Sequence, residues 1–154
     1  MSEPPAFDLP DAHRYFAAEC FNRAWDLIDK SERTAEEDET MLRLCLASHW
    51  HWSQHPECSA ENHSIAYWQE ARVYTVLGQV ENARRAAQSC LEISRSAGLL
   101  PFFVGYAYEA LARVAVLAGD KAQTVAYLGR ARAVAELMMD LEAKEQLLAD
   151  LDTI

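Results

Sequence analysis

Three of the chain's five histidines, two of its four tryptophans and one of its four cysteines fall between His49 and Cys58, in the string HWHWSQHPEC. Imidazole and thiolate are the usual zinc ligands, and two histidines one helical turn apart can grip a single ion. His51 and His55 have that spacing, with Cys58, Glu61 and His63 near enough in sequence to complete a closed site. His49 and His51 do not, because residues of a helix turn by about 100° each and these two point about 200° apart. No glutamate stands between the histidines in the H-E-x-x-H order of a metalloprotease. The competing reading is a plain helix end. Trp50 and Trp52 face opposite ways, as on a helix packed on both sides, and His49 shares a face with Cys45, Leu46 and Ser53 as a hydrogen-bonded, half-buried imidazole. A metal or small-molecule site around His49, His51, His55, Trp52 and Cys58 therefore stands second among the functional readings.

Other chemistry has less to build on. The serines make no G-x-S-x-G elbow and no G-x-x-x-x-G-K-[ST] phosphate loop is present, so no catalytic residue, cofactor or bound metal is assigned. The formal net charge is −10, and no basic stripe exists to neutralise phosphates, which points away from nucleic acid and from anionic membranes. Proteins, cationic peptides and small molecules remain as partners. Cys20, Cys45, Cys58 and Cys90 lack C-x-x-C spacing and read as buried thiols outside any disulfide. The opening MSEPPAFDLP carries acids and prolines rather than a basic, apolar leader, so the expected location is the cytoplasm.

The elements that must position these residues are helices. Of 154 residues 51% are apolar and 25% charged, and no stretch alternates with the period of a strand. Residues 1–10 read as a disordered tail and 11–154 as one helical domain. A first helix is expected from Asp11 to Lys30, with Tyr15, Cys20, Phe21, Ala24, Trp25 and Ile28 on its apolar face. Thr34 and Glu37 form a capping box for the second, which explains the acidic run Glu36–Glu39 as a helix start. Pro56 ends that helix, and Ser59 caps a third that closes at Gly78. A fourth spans Val80 to Ala97 and a fifth starts at Pro101. Gly119-Asp120 separates it from a sixth reaching Met139, and Asp140 caps a seventh ending near Leu151. The expectation is an all-α chain of about seven antiparallel helices.

Gly78 laid over Gly119 gives an offset of 41 residues, and EARVYTVLGQ then matches LARVAVLAGD. Tyr67 falls on Tyr108, Ala71 on Ala112, Arg72 on Arg113 and Val73 on Val114. Both copies are helix, glycine turn, helix. Tyr67, Ala71, Tyr74, Ala83 and Ala87 in the first copy, and Tyr108, Leu111, Ala112 and Leu128 in the second, resemble the W-x2-L-G-x2-Y and A-x3-F pattern of tetratricopeptide repeats. Small Ala71 and Ala112 suit close helix approach. The offset exceeds the family's 34 residues, the closing proline is missing, and Glu70 stands where leucine belongs. The resemblance covers residues 62–98 and 102–138, followed by a C-terminal capping helix 141–151. It implies stacked hairpins in a right-handed α-solenoid and an interaction role.

That resemblance also implies a concave groove lined by the first helix of each hairpin. Ile65, Trp68, Arg72 and Thr75 would face it, and one unit later Tyr106, Glu109, Arg113 and Val116. Arg72 and Arg113 recur at one place, suited to gripping a carboxylate of a partner, while Trp68 offers an apolar, cation-binding face. The simpler alternative is internal pairing: Glu109 with Arg113, and Arg72 with Glu70 or Glu81. The leading expectation is a non-enzymatic module that binds a protein or peptide, or a second copy of itself as a homodimer. Arg84, Arg85, Arg95, Arg130 and Arg132 belong to an outer, solvated face. Met138 and Met139 should pack beneath the last helix, or mark self-association if exposed.

Overall fold

The computed structural model describes residues 3–154, and all regular structure among them is helical. The seven helices are α1 (Leu9–Ile28), α2 (Ala35–Gln54), α3 (Ala60–Val76), α4 (Val80–Ser96), α5 (Pro101–Leu117), α6 (Lys121–Ala135) and α7 (Leu141–Leu151). They cluster into two compact units, one ending at Ser59 and the other running from Ala60 to Ile154. None of the helices is long and apolar enough to cross a membrane. Met1 and Ser2, the start of the expected tail, lie outside the described residues.

The N-terminal unit is the α1–α2 hairpin. α1 begins at Leu9, two residues before the expected start, because the Asp8 carboxylate accepts the Asp11 backbone N–H and Pro10 sits in the first turn. Its buried positions are Ala17, Ala24 and Ile28. Tyr15, expected on that face, is exposed. The capping box forms: Glu37 N–H reaches the Thr34 hydroxyl and Thr34 N–H reaches the Glu37 carboxylate. Arg33 joins the two helix ends. Its Nε binds Asp38, while its Nη1 donates to the carbonyls of Leu27 and Lys30, where a helix terminus favours a cation. On α2, Met41, Cys45 and Ser48 are buried, and the Ser48 hydroxyl donates to the Ala17 carbonyl at 2.8 Å. The helix stops at Gln54. His55, ahead of Pro56, is extended at ψ 132°, as the proline ring demands.

The C-terminal unit consists of the hairpins α3–α4 and α5–α6, with α7 against both α5 and α6. Gly78 and Gly119, 41 residues apart, have φ of 72° and 71°, a backbone that side chains with a Cβ rarely adopt. The residue after each donates to the carbonyl five before it, Gln79 to Tyr74 and Asp120 to Ala115, both at 2.9 Å. The two turns are the same Schellman closure. Ala71, Ala83, Ala87, Ala107, Ala112 and Ala131 are all buried, so small side chains lie where helices meet. α5 is the central element. It packs on α3, α4, α6 and α7, and its residues from Gly105 to Ala112 are all buried. A helix covered on every side needs apolar or internally paired residues all round.

α6 ends at Ala135 rather than near Met139. Leu137 and Met138 close back onto Val134 and Ala135 in tight turns, and the Asp140 side chain then caps α7 through Ala143 N–H. Met138 is buried as expected, whereas Met139 is 96% exposed beside exposed Leu137 and Leu141.

Candidate functional site

Trp68 and Glu109 lie 41 residues apart, as do Arg72 and Arg113, and α3 lies against α5. Glu109 takes the centre and is 0% exposed. Its Oε2 accepts the Trp68 indole N–H at 3.0 Å, its Oε1 accepts Arg72 Nη2 at 2.7 Å, and Arg113 Nε donates to the same Oε1 from one turn along α5. Arg113 also donates to the Asp150 carbonyl at 3.2 Å and the Thr153 hydroxyl at 2.8 Å, tying the end of α7 to α5. Burial pushes the Arg72 guanidinium pKa below its ordinary value, against the pull of Glu109.

The expected partner-facing carboxylate is therefore interior. Glu109 cannot meet a partner directly, and the two arginines bind a carboxylate of their own chain. Arg72 joins Glu109 across the helix pair, a longer reach than the local pairing with Glu70 or Glu81 that the sequence suggests. Thr75 turns its hydroxyl back to the Ala71 carbonyl. Ile65 and Val116 are exposed.

Beside this network the C-terminal unit opens into a cavity of about 260 Å³. Ile65 and Trp68 of α3 and Phe102, Phe103 and Tyr106 of α5 wall it, Ser64 and Cys90 lie at its buried end, and α7 adds Gln146 and Asp150. The Trp68 and Tyr106 rings meet edge-on with centroids 5.3 Å apart, and Phe102 tilts against Tyr106 at 5.0 Å. The Tyr106 hydroxyl donates to Asp150 Oδ2 at 2.7 Å. Burial, and then the Asp150 hydrogen bond and charge, hold the Tyr106 pKa well above the ordinary phenol value. Cys90 is pushed up to about 11 by burial, which keeps its thiol protonated at neutral pH. Ser64 and Ser94 close a buried hydroxyl pair at 2.7 Å, and Ser94 donates to the Cys90 carbonyl. Ile65, Trp68 and Tyr106, expected along one groove, line this cavity together. Phe102, Phe103, Gln146 and Asp150 were not among the expected site residues. An aromatic pair one turn apart, Phe102 and Tyr106, was the only local signal.

The histidine-rich segment is drawn apart. His51 turns to α1, where its Nδ1 lies 2.8 Å from His13 Nδ1, one ring donating and the other accepting. Phe16 and Trp50 pack against the pair. His55 instead accepts the Glu57 backbone N–H at 3.1 Å and meets Trp52 edge-on. Among the described residues no three His, Cys, Asp or Glu side chains converge on one point. Trp50, expected to be packed, is 55% exposed and leans on the His13 and His51 rings. Of the outer arginines, Arg84 pairs with Glu81, Arg132 with Asp152, and Arg130 lies over the stacked rings of Tyr108 and Tyr127.

Burial and the neighbouring His13 lower the His51 pKa. A folded-state pKa below the unfolded value means that the unfolded chain binds the proton more readily. The contribution of His51 is thus present above the ordinary histidine pKa, about 6.5, and is lost as pH falls below it. Hydrogen exchange of α1 and α2 amides should speed up between about pH 7 and about pH 5, after correction for intrinsic rates, and His51→Gln should remove that acid-side change. An unchanged response in His51→Gln would show that the pair carries no such linkage.

Comparison with known proteins finds no matching family model, no matching curated protein and no matching solved structure.

Proposed function

We propose that the chain is a non-enzymatic interaction module that holds a protein or peptide partner against the α3–α5–α7 side of its C-terminal unit. One observation carries the reading: the Trp68–Phe102–Tyr106 cavity is apolar, aromatic and open, beside arginines already engaged by a carboxylate of the chain. At about 260 Å³ it is just under the ~300–1,000 Å³ usual for whole small-molecule sites, a size that suits one side chain of a partner. Aromatic walls are also what anchoring pockets at interfaces use. The order α3–α4, α5–α6, with α5 against both α3 and α4, supports stacked hairpins of tetratricopeptide type. The four cysteines, none of them in a disulfide, suit a reducing compartment such as the cytoplasm. A small-molecule site is the second reading, moved from the histidines to this same cavity.

Phe102→Arg places a long cation in the cavity mouth and should abolish capture of the partners that wild type retains from a native extract. Arg72→Gln, which alters the network at a residue that does not itself line the cavity, should keep capture. If Phe102→Arg retains every partner, the cavity is not the contact.

A further inference from the structure

The geometry points to an alkylammonium group as the occupant of this cavity, carried by a lysine side chain of a partner or by a free amine. The inference deepens the binding-module reading and rests on it for the lysine source alone.

Three rings, Trp68, Phe102 and Tyr106, bound the space at steep angles to one another. Their faces carry the negative part of the aromatic quadrupole, which attracts a cation within about 6 Å. The same attraction already operates here, since the Arg72 guanidinium lies 5.9 Å from the Trp68 ring centroid. Of the residues that line the cavity, only Asp150 is charged, and it is an acid. Its Oδ2 accepts from Tyr106, while its Oδ1 takes no hydrogen bond among the described residues. An ionised carboxylate has about four acceptor positions, so capacity remains for an ammonium.

The cavity lining favours the same sign. Arg72 and Arg113 both direct donors to Glu109, Arg72 also feels the charge of Asp150, and neither arginine lines the cavity. An anion would face Asp150 with no cation in the lining to meet it. A neutral apolar group would fill the walls and leave Asp150 Oδ1 desolvated without a partner, which carries a penalty. An apolar stem ending in an ammonium satisfies both parts: methylenes against Ile65 and Phe103, the head between the rings and Asp150. The overall net charge of −10 draws such cations in.

The test is NMR titration of the intact chain, following the Trp68 indole N–H. The probes are n-pentylammonium, its neutral counterpart 1-pentanol, its anionic counterpart pentanoate, and lysine blocked at both ends of its backbone. Pentylammonium should bind with Kd on the order of 1 mM, as a ligand of so few atoms allows. Pentanol and pentanoate should bind at least about tenfold more weakly. Asp150→Asn keeps the shape and an acceptor for Tyr106 but removes the charge, and should weaken pentylammonium about tenfold. Phe102→Leu keeps an apolar wall without the π face, and should weaken it severalfold should Asp150→Asn fail to fold. Equal binding of pentanol, undiminished binding to Asp150→Asn or Phe102→Leu, or no response to pentylammonium overturns the assignment. Blocked lysine binding like pentylammonium identifies a partner side chain as the source, and binding of the free amine alone identifies a small molecule. Partner capture that is sensitive to Phe102→Arg in a protein blind to pentylammonium removes the ammonium while leaving the module reading intact.

Discussion

Glu109→Ala should destabilise the C-terminal unit by about 3–5 kcal/mol, the usual result of removing one member of a buried ion pair. The reason is what it leaves behind. Arg72 and Arg113 would face each other with side chains only 19% exposed and no carboxylate between them, and the Trp68 indole N–H would lose its acceptor. Glu109→Gln should fall in the same direction with a smaller loss, because it keeps an acceptor but introduces an amide donor among donors. Replacing the group together, with Glu109→Leu, Arg72→Met and Arg113→Met, should recover much of the lost stability, since apolar replacement of whole buried ion groups is often neutral or better. Urea unfolding followed by circular dichroism reads all three. If Glu109→Ala unfolds at the wild-type midpoint, the carboxylate is not holding the helices.

Gly105→Leu should dislodge α7. A Cβ built on Gly105 falls 2.6 Å from Leu147 Cδ2, closer than real contacts permit, and Leu147 is itself fully buried. The Leu147 side chain has to shift to admit even a Cβ, and the rest of an added leucine side chain must then find room against α7. Leucine is a strong helix former, so a loss cannot be blamed on α5 propensity. Overpacking of this kind costs about 1–3 kcal/mol, and the larger end is expected because the whole side chain follows the offending Cβ. The amides of α7 should exchange faster, and the Tyr106–Asp150 contact that shapes the cavity should open. Gly129→Leu on α6 is the internal control. A Cβ on Gly129 would meet nothing within 4 Å, so this change should be neutral or raise stability by about 0.5–1 kcal/mol. Similar behaviour of the two variants would mean that α5 and α7 do not approach so closely.

The local rules of the chain were legible from its residues. Thr34 with Glu37, Pro56, Gly78, Gly119 and Asp140 each act within a turn of themselves, and each does in the fold what its chemistry implies. The 41-residue offset also pairs Trp68 with Glu109 and Arg72 with Arg113 without reference to any helix position. The direction of those side chains was not legible. Glu109 was assigned to an open groove, yet α5 has neighbours on every side, and a charge there is tolerated only because three donors surround it. Nor does periodicity reveal that α7 sets Asp150 against Tyr106, or that His51 meets His13 on the other helix of its hairpin in preference to His55. Those contacts span 44 and 38 residues, and helix-to-helix register is decided by packing rather than by local propensity.

Whether the paired arginines are interior fasteners or partner-reading groups is settled most directly by the guanidinium N–H signals of Arg72 and Arg113 in nitrogen-edited NMR. Ion-paired to Glu109, both should show slowed solvent exchange and hindered rotation, and both effects should weaken in Glu109→Gln, more for Arg72 than for Arg113, which keeps the Asp150 carbonyl and the Thr153 hydroxyl. Rapid exchange in the wild type, like that of an exposed arginine, would contradict the interior network and return these two residues to the surface as candidates for binding.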